Sequence, residues 1–173
     1  MTISKVHNNM GRLCNIIFRC VASSIVAKHH NLKMDYILKE EYDLKLKKIG
    51  ILLFSSNSHN TSKKMHRLVD ETMVQLLNLP PGSIGGIKDM HDKFFQIKEC
   101  ADLIFEDLRS EKSKKSIIEK NPYYERYNNN NDCYIHIRLH DAAGWSPGMV
   151  YFKKVLSKLS FDKLYLSSDQ PNH

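Results

Sequence analysis

The stretch from Thr2 to Leu38 constrains the fold more than any other part of the chain. Thr2 to Val6 reads as a short strand, followed by the turn-like His7-Asn8-Asn9-Met10-Gly11-Arg12. From Leu13 the apolar residues change period. Leu13, Ile16, Ile17, Cys20, Val21 and Ile25 fall on one helical face. That helix is expected to end near His29-His30-Asn31, and Leu32 to Leu38 reads as a second strand. A strand, a loop, a helix and a strand in that order predict an α/β fold with a parallel sheet. The 173 residues suit one domain, or one domain and part of another.

Leu13 to Ala27 is also the most apolar stretch, but it is too short to span a bilayer and contains Arg19. The same arginine argues against a signal-peptide core, which is uninterrupted. No transmembrane segment is therefore expected. Asn60-Thr61-Ser62 is a glycosylation sequon that matters only in a secreted chain. Cys14, Cys20, Cys100 and Cys133 lie far apart with no C-x-x-C pair. All four read as reduced core residues, which excludes a disulfide framework and places the chain in the cytoplasm.

The middle of the chain is less regular. Tyr42 to Phe54 fits either helix or strand, and Ser55 to Ser62 is a polar loop. Met65 to Leu77 reads as a helix. Pro80-Pro81-Gly82 and Gly85-Gly86 break the chain. Ile97, Ala101, Ile104, Phe105 and Leu108 share one helical face. The asparagine run at 128–132 reads as a linker. It separates an N-terminal α/β domain, 1–127, from a final unit, 133–173.

That final unit opens on a period-two segment. Cys133, Ile135, Ile137 and Leu139 alternate with Tyr134, His136, Arg138 and His140, as in a strand buried on one face. Ser146 can cap a helix with Pro147 at its first position. Met149, Phe152, Leu156 and Leu159 then follow at helical spacing. Phe161-Asp162 turns the chain into a strand over Lys163 to Ser167, with Ser168 and Asp169 at its carboxyl end. This is a second β-α-β unit.

Ligands of open α/β sheets bind at the carboxyl ends of the strands. Arg138, His140 and Asp141 mark one such end, and Ser168 and Asp169 the next. If the strands are neighbours, these groups converge. A guanidinium there can clamp a diphosphate through paired charge-assisted hydrogen bonds. The net charge of +7 likewise favours an anionic partner: nucleic acid, an acidic membrane surface or a phosphate-bearing molecule. His136, His140 and Asp141 resemble a metal-ligand cluster. On a strand rising ~3.3 Å per residue, however, the two histidines are about 13 Å apart, so no metal is expected. The plainer readings are a core histidine for His136 and a structural ion pair with Asp141 or Asp169 for Arg138.

His136-Ile-Arg138-Leu-His140-Asp141 resembles the H-x-R-R-G-D motif of the fucosyltransferase superfamily. Met10-Gly11-Arg12-Leu13-Cys14-Asn15-Ile16-Ile17-Phe18 resembles the G-G-L-G-N-Q-x-F loop that opens the α-1,2-fucosyltransferase family. Phe94-Phe95-Gln96 is similar to that family's F-Q segment, and Lys163-Leu-Tyr165-Leu-Ser-Ser168-Asp169 to its later strand ending in S-D or T-D. The four occur in family order. Leu139 stands where the family has a second arginine, His140 where it has glycine, Cys14 for a glycine and Ile16 for glutamine.

The resemblance implies a GT-B-like fold of Rossmann-like βαβ units whose second domain is incomplete here, since family members continue beyond His173. It implies inverting transfer of fucose from GDP-fucose to a sugar hydroxyl, with no metal and no cofactor beyond that donor. It assigns Arg138 to the donor diphosphate with His136 beside it, Gly11 and Asn15 to the opening loop at the cleft, Asp169 to the nucleotide side and Asp141 to the acceptor hydroxyl as base. A glycan acceptor is the implied second partner. An inactive relic or fragment of that fold is the first alternative. A basic nucleic-acid-binding α/β protein is the second, disfavoured by the lack of an aromatic-basic stacking stretch or a recognised binding motif.

Overall fold

The computed structural model describes residues 4–8, 12–57, 63–89, 94–126, 130–139, 144 and 146–169. The chain divides into two compact units, Met1–Tyr124 and Glu125–His173.

The first unit is a four-stranded, all-parallel sheet with helices between its strands. Its elements are β1 (Ser4–Asn8), α1 (Leu13–His30), β2 (Met34–Leu38), α2 (Glu40–Lys48), β3 (Met65–Leu68), α3 (Asp70–Leu77), β4 (Gly86–Asp89), α4 (Lys98–Arg109) and α5 (Glu111–Lys120). The strand order is β2-β1-β4-β3. The β1-α1-β2 step runs outward, the chain then crosses to the far edge, and β4 returns to lie beside β1. The α/β class with a parallel sheet is as the sequence predicts.

α1 carries most of the core. Ile16, Cys20, Val21, Ala22, Val26 and Ala27 are fully buried. α1 packs against α3 and α4. It stops where Asn31 enters the left-handed region (φ 53°), its amide closing onto the carbonyls of Ala27 and Lys28. Asparagine tolerates that conformation. The last turn holds Lys28, His29 and His30, whose charge suits the negative end of the helix dipole.

Residues 65–77 depart from the single helix expected. β3 and α3 are separated by Val69 in an extended conformation. Leu68, Met73 and Leu76 are all buried and together mimic a helical stripe, although Leu68 belongs to the strand. What makes Met65–Leu68 a strand is its parallel pairing with β4, Met65 opposite Gly86 through Leu68 opposite Asp89. Residues 42–54, open between helix and strand, resolve into α2 and a segment without regular secondary structure. Ser55 Oγ accepts from Met34 N–H and donates to Met34 O, both at 2.9 Å, and so covers the edge of β2.

Gly50 brings α5 close. A Cβ there would lie 2.4 Å from the Ser116 carbonyl oxygen, and its φ of +79° is one that L side chains rarely adopt.

The second unit contains a short 3-10 turn (Tyr124–Arg126 at its border), β5 (Cys133–Ile137), α6 (Gly148–Leu156) and β6 (Leu164–Ser168). β5 and β6 pair in parallel, Cys133 opposite Leu164 through Ile137 opposite Ser168. The alternation read from the sequence is present as half-buried Cys133, Ile135 and Ile137 against exposed Tyr134 and His136. The strand is not a buried one, however. No described residue of this unit belongs to the buried core. α6 begins at Gly148 with Pro147 as its N-cap, one residue later than expected. Ser146 Oγ only receives a long 3.5 Å contact from Gly148 N–H.

The four cysteines are free, but only Cys20 and Cys100 are core residues. Cys133 is half-buried and Cys14 is exposed. Among the described residues no helix is long and apolar enough to cross a membrane.

Candidate functional site

Each unit gathers its notable polar groups at the carboxyl ends of its strands. In the second unit the register places Ile137 opposite Ser168, so the residues that follow β5 and β6 emerge side by side. Asp169 Oδ1 accepts the Leu139 backbone N–H at 2.7 Å and ties the two strand ends together. Arg138 lies between them in sequence and is exposed. One pair inward, His136 Nδ1 and Ser167 Oγ are 3.1 Å apart across the strands. His136 is exposed, so the core-histidine reading fails.

β5 ends at Ile137, two residues short of the Leu139 that the alternation predicts, so the strand spacing between His136 and His140 does not hold. His140, Asp141 and Gly11 lie outside the described residues. The structure therefore brings together His136, Arg138 and Asp169 of the second-unit residues singled out.

In the first unit, described residues that follow β1, β3 and β4 in sequence touch one another: Asn15, Asp70 and Phe95-Gln96. Asn15, in the first turn of α1, accepts from Gln96 Nε2 at 3.0 Å. The neighbouring Phe95 is fully buried with φ +56°. That conformation is uncommon for a bulky residue and survives only when the surroundings enforce it. Here the ring is packed into the core and the Phe95 amide donates to Asp70 Oδ1 at 3.1 Å. Two sequence motifs eighty residues apart, the opening loop and Phe94-Phe95-Gln96, are thus in direct contact.

Sequence reasoning missed Asp70, because a helix running through Met65–Leu77 hides that Asp70 follows a strand end. It also missed what Arg19 does: one helical turn beyond Asn15, it is fully buried, a rare state for arginine. Cys100, whose Sγ lies 3.4 Å from the Asp70 carbonyl oxygen, is no nucleophile. Burial, and then the carboxylates of Asp70, Glu99 and Glu71, push its thiol up to about 11, and the thiol form is unreactive.

An aromatic cluster on β5 and β6 was also missed. Tyr134 and Tyr165, directly opposite in the register, stack with ring centroids 5.0 Å apart and planes within 10°. The Arg126 guanidinium sits 5.3 Å from the Tyr165 ring, donates to its hydroxyl at 2.7 Å and pairs with the Asp132 carboxylate. That hydrogen bond holds the Tyr165 phenol below its ordinary pKa. No contiguous stretch carries this cluster. It exists only through strand pairing.

The described geometry thus defines an α/β protein with parallel sheets and polar groups gathered at carboxyl strand ends. No family model, no curated protein and no solved structure matches the chain.

Proposed function

We propose that this protein is a glycosyltransferase-like binder of a nucleotide-sugar donor, similar to the α-1,2-fucosyltransferases and of GT-B-like organisation. The observation that carries the reading is the Asp169 to Leu139 hydrogen bond. It ties Asp169, after β6, to Leu139, the neighbour of Arg138 in the motif that resembles H-x-R-R-G-D. Arg138 grips the donor diphosphate, and His136 stands beside it. In the first unit, Asn15 and Gln96 shape the loop that faces the acceptor side. The reaction under this reading is inverting transfer of fucose from GDP-fucose to a sugar hydroxyl, with Asp141 as base. A fixed cation opposite the departing diphosphate supplies the main catalytic effect.

Calorimetric titration of GDP-fucose, with GDP as comparison, tests it. Loss of a charge-assisted contact costs about 1.5–3 kcal/mol, so Arg138→Ala should weaken binding roughly 10- to 100-fold. No binding by the folded wild-type chain, or binding indifferent to Arg138, would sink the reading.

The stacked tyrosines favour one second reading, a surface for single-stranded nucleic acid, on which exposed rings stack bases. Affinity for an oligonucleotide that falls steeply with salt and is lost in Tyr134→Ala would select it.

A further inference from the structure

The all-parallel sheet of the first unit sorts its charges onto two sides. A helix that joins two paired parallel strands must run back against them, so α1 and α3 end at the strands' amino ends. α4 ends there too, because Asp107 in its last turn lies close enough to Lys28 to feel its charge. Side chains that suit the helix dipole then collect by sign. The first turns, on the carboxyl side, hold Asp70 and Glu71 in α3 and Glu99 in α4. The last turns, on the amino side, hold Lys28, His29 and His30 in α1 and Arg109 in α4.

The segments that lead into the strands add to the amino side. Lys33 precedes β2, and Lys63 and Lys64 precede β3. Residues 78–85, after α3, close onto the same place. His29 Nε2 lies 2.9 Å from the Leu79 carbonyl oxygen, and Lys63 Nζ donates to the Gly82 carbonyl. His30 feels His29, His66 and Lys63 as like charges. Residues 28–33, 63–64 and 78–85 contain no acidic residue. Among the described residues, acid on this side is confined to the turn from α4 to α5, as Glu106, Asp107 and Glu111, and Lys28 already faces Asp107. A positive face results, and it fits a negative partner.

The other side chains of this face narrow the partner. Leu52 and Leu79 are each 38% exposed. Leu79 runs into Pro80-Pro81, and Leu52 shares a cavity wall with Lys28. Nucleic-acid surfaces set aromatic rings among their cations for bases to stack on. Residues 28–33, 63–64 and 78–85 carry no phenylalanine, tyrosine or tryptophan. The exposed ring of Phe105 in α4 already has the Arg109 guanidinium over it at 5.1 Å. Lysines interleaved with aliphatic tips suit a bilayer instead: the cations meet anionic headgroups, and the apolar tips enter the interface.

We propose that the amino-end side of the first unit docks on an anionic lipid bilayer, with Lys28, Lys33, Lys63 and Lys64 on the headgroups and Leu52 and Leu79 in the interface. The loops at the carboxyl ends of the same sheet then face away from the membrane. Docking makes no use of Arg138, and it stands whether or not the donor reading holds.

The full chain is sedimented with vesicles of phosphatidylcholine and phosphatidylserine, and with vesicles of phosphatidylcholine alone. It should bind the first and not the second, and binding should fall as salt is raised. A basic group at an anionic surface contributes about fivefold, so Lys28→Met with Lys64→Met should weaken binding roughly 25-fold. Both side chains are exposed, so the variant keeps its core. Lys153→Met with Lys154→Met, an exposed pair in α6, removes the same charge elsewhere and should leave binding within about twofold. Leu79→Ser should weaken binding without changing its salt dependence. No binding to the anionic vesicles, equal binding to both kinds, or an equal loss in the α6 pair would each overturn the assignment. Retention by a single-stranded oligonucleotide in place of the vesicles would give the face to nucleic acid.

Discussion

The two units are built from the same β-α-β grammar, but they differ in what they bury. In Met1–Tyr124 every strand finds a covered face. Val6, Leu68 and Ile87, from β1, β3 and β4, are fully buried, as are Ile16, Val21 and Val26 of α1. In Glu125–His173 the strand and helix residues of the same chemical type stay in contact with solvent. Leu166 of β6 is 63% exposed and Val150 of α6 81%. Fully burying such a side chain contributes about 1.5–3 kcal/mol, and the first unit collects that term many times. Secondary-structure pattern therefore does not by itself make a domain: a two-stranded sheet is marginal in water unless something covers its face. The contrast also sorts the two readings of function. The first unit is a scaffold that can hold a loop such as Phe95-Gln96 in a strained conformation. The second unit presents groups held by hydrogen bonds and ring stacking at its surface, not by a buried core.

The largest expected effect follows directly. Produced separately, Met1–Tyr124 should unfold in one cooperative thermal transition, while Glu125–His173 should show none and exchange its amides without protection. Slow-exchanging amides in β5 of the isolated second piece would break the comparison.

Two glycines sharpen it at smaller scale. A Cβ on Gly85 would lie 2.1 Å from the Lys63 carbonyl oxygen, whereas one on Gly144 would meet nothing within 4 Å among the described residues. Gly85→Ala must displace backbone and should cost about 1–3 kcal/mol in chemical denaturation. Gly144→Ala should stay within roughly 0.5 kcal/mol. Equal effects would mean that the packing difference between the units carries no energetic weight.

Gly85 also shows why part of the fold was hidden in the sequence. Gly85-Gly86 reads as a chain break, yet Gly86 opens β4 and sits where a Cβ would meet Met65 Sδ at 2.3 Å. These glycines permit close strand approach, which no local pattern distinguishes from a turn. α1 was legible because its stripe is long and buried, and Asn31 ends it where sequence says it should. β3 was not, because four residues, Met-His-Arg-Leu, carry no period of their own and become a strand only through β4. The candidate site follows the same division. Arg138 and Asp169 follow adjacent strands as the alternation indicates, although β5 ends at Ile137, two residues earlier than that alternation runs. The place of Asp70 and the tyrosine pair are products of pairing and packing between distant segments.

The smallest expected effect is a pH dependence that the first unit's burial creates. His30 is 3% exposed. Its Nε2 lies 2.8 Å from the Leu76 carbonyl oxygen, which fixes the tautomer that donates there, and Nδ1 is buried with no hydrogen-bond partner among the described residues. Burial is the main cause that lowers its pKa from 6.5. The Leu76 hydrogen bond opposes this, and the like charges of His29, His66 and Lys63 add to the lowering. A group that resists protonation only when folded gives stability that is fully present above 6.5. As pH falls below that value, the unfolded chain takes up a proton that the folded chain refuses, and the stability is lost until the folded pKa is passed. The denaturation midpoint should therefore decline as pH falls below 6.5. His30→Gln can still donate to Leu76 and does not titrate, so its decline should be shallower over the same window. Identical slopes would show that the core of the first unit does not exclude charge at His30, and that the two units differ less in their interiors than their side-chain exposure indicates.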